Sequence, residues 1–278
     1  MATIMQDHPA WITTSNGAER VMRCRAAPWL LTWTADQPDG VEAIRLQSHD
    51  VAGRRPMVDA DQGGPGAGPV IDHVVLSGEG TSEIATAVQA LGPVCRVRNS
   101  DLWDAIGTAI IRQVIRAAQA RQMYARFCLA HGTTVAPAAV HRLFPSPERV
   151  LDLSPADFAE LRMTFKQPAL AAAATAYLTH RQTWEQLDPP ALVTALQAVP
   201  RIGPWTAGAA VADWSGDFSV YPYADLAVRT WARRAAPATE WPEDEPSFAM
   251  RWRETAGKDL SALTQLVLAW GGTHVRSP

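Results

Sequence analysis

The chain has 278 residues, of which 47% are apolar and 19% are charged, and its formal net charge at neutral pH is −3. This composition excludes a disordered protein, and the length is sufficient for two domains with a sizeable core. The slight negative charge argues against nucleic-acid binding through bulk positive charge. It leaves room for binding through local arginines and backbone amides.

The cysteines and the apolar segments limit location and cofactors. Cys24, Cys95 and Cys128 are too widely spaced for a zinc site or an iron–sulfur cluster. The sequence contains no recognisable secretion signal and no stretch of about 18 uninterrupted apolar residues. We therefore expect a cytoplasmic protein with reduced thiols, no membrane span, no metal and no cofactor.

The first third of the chain contains short segments rich in β-forming residues, separated by turn-like sequences. Strands are predicted over Ala27–Trp33, Ala43–Gln47 and His73–Ser77. The glycine-rich stretch Asp59–Pro69 is predicted to be a mobile loop. Residues 1–92 are therefore expected to form a small, sheet-containing α+β domain.

Residues 93–278 are typical of an all-α domain. Asp101 is suited to cap a long helix from Leu102 to about Ala130, which Gly132 closes. Further helices are predicted after Ser154 and over Pro168–His180, Pro189–Ala198, Gly203–Trp214, Asp225–Arg234, Pro246–Ala256 and Leu260–Trp270. The sequence thus predicts a mainly α protein with a small N-terminal β-rich domain.

The segment Leu196–Ala207 predicts two helices joined by a tight turn. Gly203 permits close approach of another backbone, and Pro204 suits the first helical position, where its missing N–H costs nothing. Free amides at a helix start form a favourable phosphate site. An ordinary αα-corner needs the same residues, so the turn alone leaves both interpretations open.

This segment resembles the hairpin of the helix-hairpin-helix DNA glycosylases, most closely the bacterial inducible 3-methyladenine DNA glycosylase II branch. The resemblance covers about residues 95–272 and includes Leu102–Gly132 and Leu266–Gly271. It implies the helix-hairpin-helix glycosylase fold. It also implies that an aspartate opening the helix after the hairpin, here Asp225, is the catalytic carboxylate.

Breaking an N-glycosidic bond builds positive charge on the sugar, which a carboxylate stabilises while it orients or deprotonates water. Asp225 fits this role and also fits the simpler role of a helix N-cap, and the two can coexist. Asp213 and Asp217 are the alternative carboxylates, ranked lower because the resemblance selects Asp225.

The resemblance also implies a base pocket and a DNA-binding surface. Aromatic faces offset the cost of unstacking a base and suit a cationic methylated purine. The pocket candidates are Trp205, Trp270, Tyr221 and Tyr223, with Ala209 where relatives carry a further tyrosine. Each aromatic can instead be an ordinary core residue, and taken singly Tyr221 and Tyr223 favour that interpretation. The DNA-binding candidates are Arg201, Ile202, Gly203, Thr206, Ala207, Arg112, Gln113, Val114 and Arg116.

Val114 is the candidate wedge for the gap left by a flipped base, with Gln113 as a neighbouring polar contact. A buried valine inside a helix explains the same residue equally well. Arg112, Arg116 and Arg126 are expected on one helical face, where they contact phosphates or only solvent.

Two departures from the family pattern refine the prediction. Arg201 replaces the first glycine of the usual G-[I/V]-G hairpin, so it either carries a backbone cost at positive φ or contacts a phosphate itself. Trp205 stands where strand-cutting members carry a lysine, which implies a monofunctional enzyme.

The sequence therefore predicts a monomeric, cofactor-free, nucleoid-associated DNA N-glycosylase that hydrolyses damaged, alkylated purines from duplex DNA. Ala209 opens the pocket, so the alternative substrates are hypoxanthine, ethenoadenine or a bulky adduct. Arg201 and the negative net charge motivate a different class, a non-catalytic module that binds a DNA structure.

Overall fold

The computed structural model describes residues 3–25, 27–34, 41–46, 68–78, 81–135 and 142–274. The strands are β1 (Thr3–Ile4), β2 (Ile12–Thr13), β3 (Gly17–Cys24), β4 (Ala27–Thr34), β5 (Val41–Arg45), β6 (Ile71–Val74), β7 (Val94–Val97), β8 (Thr133–Thr134) and β9 (Arg142–Leu143). The predicted loop Asp59–Pro69 lies, as far as residue 67, outside the described residues.

The helices follow in chain order and dominate the second part of the chain. They are α1 (Glu83–Gln89), α2 (Leu102–Arg112), α3 (Ala117–His131), α4 (Pro147–Leu151), α5 (Pro155–Glu160), α6 (Gln167–Trp184), α7 (Pro189–Gln197), α8 (Pro204–Ser215), α9 (Leu226–Ala235), α10 (Glu245–Ala256) and α11 (Leu260–His274). The mainly α architecture with a β-rich N-terminal part is confirmed.

The N-terminal part contains a four-stranded antiparallel sheet in the order β2-β3-β4-β5. Its long central hairpin pairs β3 with β4 across eight residue pairs, from Gly17–Thr34 to Cys24–Ala27. Met22 and Leu31 contribute to its small apolar core. Strand β3 is not among the predicted strands, because the sequence GAERVMRC interrupts its apolar residues with three charges.

A second, three-stranded sheet in the order β1-β7-β6 joins the two parts of the chain. Strand β7 begins at Val94, just beyond the expected boundary at residue 92, and pairs in parallel with β1 and antiparallel with β6. Its residues are all buried, because helices cover this sheet. The boundary itself stays a prediction.

The predicted helix from Leu102 to about Ala130 is wrong in its middle. It divides into α2 and α3, and the chain turns sharply at Gln113–Arg116. Val114 adopts φ 60°, which no α-helix accommodates. Arg112 therefore ends one helix and Arg116 caps the next, so the expectation that they share a helical face with Arg126 is also wrong.

One large apolar core connects the helices and reaches into the sheet that contains β7. Helix α2 is at its centre, with ten of its eleven residues buried, and it packs against α8 and α6. In the part of the chain that the structure describes, no helix is both long enough and apolar enough to span a membrane.

Candidate functional site

The predicted hairpin is formed by α7, a turn and α8. Amides of the turn bond back to the end of α7, with Val199 N–H donating to the Leu196 carbonyl (3.0 Å) and Ile202 N–H to the Val199 carbonyl (3.1 Å). Ile202 is buried and anchors the turn to the core, and Gly203 is the N-cap of α8. The amides of the first turn of α8 have no partner within the helix, which leaves them available to an anion.

Arg201 occupies the position that in the family pattern is a glycine, and its φ is 70°. The backbone cost anticipated for this residue is therefore present, since a side chain at positive φ is strained. Its side chain is exposed. Gly203 has an ordinary φ of −88°, and a Cβ placed there meets nothing within 4 Å. Open space surrounds Gly203, so another molecule's backbone can approach it closely.

Helix α8 packs directly on the loop that leads to Asp225. A Cβ at Gly208 would lie 2.6 Å from the Val220 carbonyl oxygen and 3.1 Å from Pro222 Cδ. The close approach therefore requires glycine at this position. The hairpin and the Asp225 loop therefore pack as one unit. In the sequence, the only sign of this contact is a glycine inside a predicted helix.

Asp225 is half-buried and opens α9, with φ −55° and ψ 148°. Its backbone acts as an N-cap, because the Arg229 N–H donates to the Asp225 carbonyl (3.0 Å), but its side chain makes no capping hydrogen bond. Instead Asp225 Oδ2 accepts a hydrogen bond from the Tyr221 hydroxyl (3.2 Å). The carboxylate is therefore free for a role other than capping.

Tyr221 connects Asp225 to a cavity of about 410 Å³. The cavity lies between α2, α8, α9 and α11 and the N-terminal segment, and its walls include Arg112, Ala209 and Trp231. Burial raises the pKa of the Tyr221 hydroxyl, although the charge of Arg112 acts in the opposite direction. The hydroxyl therefore stays protonated and keeps donating to Asp225.

The other three predicted pocket aromatics are not among the described residues that line this cavity. Trp205 is half-buried and faces the Arg112 guanidinium, whose carbon lies 5.9 Å from the ring centroid. Trp270 stacks on His274 with ring centroids 3.8 Å apart. Tyr223 is buried and accepts a hydrogen bond from Arg253. Of the four aromatics, Tyr221 alone lines the described cavity.

Val114 lies at the tip of the turn between α2 and α3 and is fully exposed, at 102% of its reference area. The interpretation of Val114 as a buried helical valine is therefore wrong. A positive φ is a genuine outlier for a β-branched residue, and such strain persists only where surrounding contacts impose it. Its combination of strain and exposure is consistent with the wedge that the resemblance implies.

Two side chains hold this turn. Gln113 Nε2 donates to the Thr206 hydroxyl (2.5 Å) and to the Arg201 carbonyl (3.3 Å), which connects the turn to the hairpin. Lys166 is almost completely buried, and its Nζ donates to the carbonyls of Ile110 and Gln113, both at 2.7 Å. Burial lowers the pKa of Lys166 to about 8.

The remaining predicted DNA-binding residues differ in exposure. Arg116 is exposed and caps α3, and its N–H donates to Gln119 Oε1 (3.3 Å). Thr206 and Ala207 have buried side chains, and the Thr206 hydroxyl is used by Gln113. A DNA contact by these two residues therefore depends on their backbone amides, which belong to the first turn of α8.

The N-terminal segment reaches the cavity through an ion network. Asp7 Oδ2 accepts from Arg96 (3.2 Å), and the same guanidinium donates to Asp213 Oδ1 (2.5 Å). Asn99 also donates to Asp213 (3.0 Å), so this alternative carboxylate is held in a buried network. The other alternative, Asp217, accepts from the Ser219 N–H (2.9 Å) in a local turn.

The arrangement is that of a helix-hairpin-helix DNA glycosylase fold: a hairpin packs on a loop whose aspartate opens the next helix beside a cavity. Solved structures confirm this fold. The 3-methyladenine DNA glycosylase of Archaeoglobus fulgidus is similar with a TM-score of 0.69 and 14% identity, over 97% of this chain and 91% of that one.

Two further solved structures share the fold. The 8-oxoguanine glycosylase/lyase of Clostridium acetobutylicum in complex with duplex DNA has a TM-score of 0.67 and 14% identity, over 97% of this chain and 89% of that one. The Schizosaccharomyces pombe 3-methyladenine DNA glycosylase, in complex with abasic DNA, has a TM-score of 0.51 and 19% identity, over 64% of this chain and 84% of that one.

No family model and no curated protein matches the chain. The similar TM-scores of the first two structures do not separate the 3-methyladenine branch from the 8-oxoguanine branch. The finer resemblance to 3-methyladenine DNA glycosylase II therefore stays a prediction.

Proposed function

We propose that this protein is a monofunctional DNA glycosylase of base excision repair, which hydrolyses the N-glycosidic bond of a damaged base in duplex DNA. The observation that carries the proposal is the setting of Asp225. Its half-buried carboxylate makes no capping bond and accepts from Tyr221, which lines the 410 Å³ cavity. The hairpin helix packs on the same loop at Gly208.

The chain supplies each part of the reaction. The amides at the start of α8 bind a phosphate beside the damaged nucleotide, with Gly203 open to its approach. The flipped base enters the cavity, and Val114 enters the gap that the base leaves in the stack. Asp225 then stabilises the positive charge that develops on the sugar and orients or deprotonates the attacking water.

Two residues, Trp205 and Lys166, support hydrolysis without strand cleavage. Strand cleavage by a covalent route needs an amine nucleophile. Trp205 stands at the position where the family pattern of strand-cutting members has a lysine. Lys166 has its Nζ hydrogen-bonded to the backbone carbonyls of Ile110 and Gln113. Neither residue offers a free amine to the sugar.

Alkylated purines are the first lesions to test, because the sequence resemblance implies them and because the Archaeoglobus fulgidus neighbour is a 3-methyladenine glycosylase. The Clostridium acetobutylicum neighbour is an 8-oxoguanine glycosylase/lyase, so oxidised purines belong in the same panel. Ala209 lines the cavity, and its small side chain leaves space for a lesion larger than a methylated base.

The proposal is tested by Asp225→Asn, which keeps the shape of the side chain and removes its charge. We expect base release from lesion-containing duplexes under single-turnover conditions to fall by about 1000-fold or more, because electrostatic stabilisation of the developing charge contributes most to such catalysis. Affinity for the same duplexes should change little. Asp217→Asn is the matched control, because that carboxylate only accepts a bond in a local turn.

Unchanged base release by D225N contradicts the assignment of Asp225. Tight duplex binding by the unaltered protein, with no release of any lesion in the panel, identifies it instead as a non-catalytic DNA-binding module.

A further inference from the structure

The last residue of α2, Arg112, projects into the cavity. It lines the wall together with Asp7 and Tyr221, and its guanidinium faces the ring of Trp205 at 5.9 Å. The side chain is half-buried, and no described residue forms an ion pair with it or accepts a hydrogen bond from it. A guanidinium has five N–H donors, so this one presents unused donors to whatever enters the cavity.

No described residue forms an ion pair with Arg112, although the negative charge of Asp7 in the same wall attracts it. Asp7 and Asp213 both accept from the buried Arg96, which lies behind them. Burial acts to raise the pKa of Asp7, but the charges of Arg96 and Arg112 outweigh it and hold that pKa below its ordinary value. Asp7 therefore stays ionised and engaged with Arg96.

A cationic base meets the guanidinium of Arg112 in this cavity, whereas the two carboxylates of the wall, Asp7 and Asp213, are both engaged with Arg96. N-methylation of a purine at N3 or N7 gives the base a positive charge, and a second positive charge in a half-buried site raises the free energy of binding. Because the Tyr221 hydroxyl stays protonated, it supplies no compensating anion. Asp225 supplies a negative charge, but it faces the sugar in the proposed reaction.

A neutral base with a carbonyl oxygen makes the opposite match. A guanidinium binds such an oxygen through one or two N–H donors, and a good bidentate contact discriminates between bases by a factor of about 10 or more. The rings of Phe218 and Trp231 in the same wall already face the guanidinium groups of Arg96 (4.6 Å) and Arg234 (5.0 Å), which weakens the cation–π attraction that they would otherwise offer to a cationic base.

We propose that Arg112 is the specificity-determining residue of the cavity and that it selects neutral damaged purines with a carbonyl oxygen over cationic N-methylated purines. This inference rests on the proposed glycosylase function and narrows its substrate class. It departs from the alkylated purines that the sequence resemblance implies.

The test uses three lesions in one duplex context. Hypoxanthine is neutral and has a carbonyl, ethenoadenine is neutral and lacks one, and 7-methylguanine is cationic. Single-turnover base release is measured for the unaltered protein, Arg112→Leu and Arg112→Lys. We expect the unaltered protein to release hypoxanthine about 10-fold or more faster than 7-methylguanine, with ethenoadenine between them.

Arg112→Leu should slow hypoxanthine release by about 10-fold or more and raise 7-methylguanine release, which narrows or inverts the preference. Arg112→Lys keeps the charge but loses the planar pair of donors. It should therefore still disfavour 7-methylguanine while losing part of the advantage for hypoxanthine. Equilibrium binding of the same lesions in a D225N background gives a second readout that does not depend on the chemical step.

Several outcomes overturn the inference. Faster release of 7-methylguanine than hypoxanthine by the unaltered protein contradicts it and leaves the glycosylase function intact. If R112L slows the release of all three lesions equally, so that their ratios are unchanged, Arg112 has only a structural role at the end of α2. Release of none of the lesions by the unaltered protein rejects the proposed function and this inference together.

Discussion

The two turns of the candidate DNA-binding surface have the same backbone anomaly and opposite chemistry. Arg201 in the hairpin turn has φ 70°, and Val114 in the turn between α2 and α3 has φ 60°. The hairpin turn offers a cation and open backbone amides, which suit a phosphate. The turn between α2 and α3, called here the wedge turn, offers an exposed apolar side chain, which suits a stack of bases.

The two turns are held in different ways. The hairpin turn is a local structure, closed by hydrogen bonds from its backbone amides to carbonyls at the end of α7 and just after it. The wedge turn depends on distant residues, since Lys166 and Thr206 bond to it from 53 and 93 residues away. Gln113 belongs to the wedge turn and donates to the Arg201 carbonyl of the hairpin turn and to Thr206, so one side chain links the two turns. Strain at two linked positions indicates a preformed surface rather than one that orders on binding.

Among changes to the two turns, the largest expected effect comes from removing the apolar tip of the wedge turn. Val114→Ala and Val114→Gly both delete the wedge, and we expect each to slow single-turnover base release about 10-fold to 100-fold, because the flipped state loses its stacking replacement. Ala keeps a side chain at positive φ, whereas Gly relieves the strain. V114G should therefore be more stable than V114A by about 0.5–1 kcal/mol in chemical denaturation.

Equal rates for both variants and the unaltered protein contradict the wedge. Equal stabilities for V114A and V114G contradict the strain and leave the wedge in place.

The difference between the turns also explains what the sequence can predict. The hairpin is predictable because Gly203 and Pro204 mark a helix start locally, and Asp225 follows from the resemblance. The break at Gln113 is not, because Arg112 to Arg116 includes no glycine or proline and continues a helical pattern. Tertiary contacts impose that turn, and a single sequence does not reveal them.

The cavity is predictable only in part for the same reason. Tyr221 and Ala209 are expected in it because they stand at pattern positions close to Asp225 and Trp205. Asp7 and Trp231 have no local signal, since their place in the wall depends on how the N-terminal segment and α9 pack. The sequence pattern assigns Arg112 to a helical surface because it predicts a helix that continues beyond this residue.

The next prediction concerns the hydrogen bond that links the two turns. Gln113→Ala and Thr206→Val each remove one partner of the 2.5 Å hydrogen bond. We expect each to lower the free energy of unfolding by about 1–1.5 kcal/mol, and a double-mutant cycle to give a coupling of about 1 kcal/mol. Additive effects in the cycle show that the bond does not couple the turns.

Arg201 separates backbone strain from phosphate contact. Arg201→Gly removes a side chain at positive φ, and we expect it to raise the free energy of unfolding by about 0.5–1 kcal/mol. The same variant should lower the slope of log affinity against log salt by about 1, as expected for one lost phosphate contact. Arg201→Ala is the matched control, because it loses the charge and keeps the strain. An unchanged salt slope in both variants excludes the contact.

The last expected effect is a pH dependence that belongs to the wedge turn alone. Burial lowers the pKa of Lys166 to about 8 from its ordinary value of 10.5. Between these values the unfolded chain binds a proton that the folded protein lacks, so stability contributed by this group rises with pH and is lost as pH falls towards 8. Lys166→Met should remove that contribution, which corresponds to less than about one proton.

The measurement is the difference in unfolding free energy between the unaltered protein and K166M at pH 7 to 9.5, since other buried groups titrate in both proteins alike and cancel. The hairpin turn has no buried amine among its described residues, so R201G should follow the unaltered protein across this range. A difference between the unaltered protein and K166M that does not vary with pH means that Lys166 holds the wedge turn as a charged donor throughout. The two turns would then both be insensitive to pH, and they would differ in chemistry but not in how protonation stabilises them.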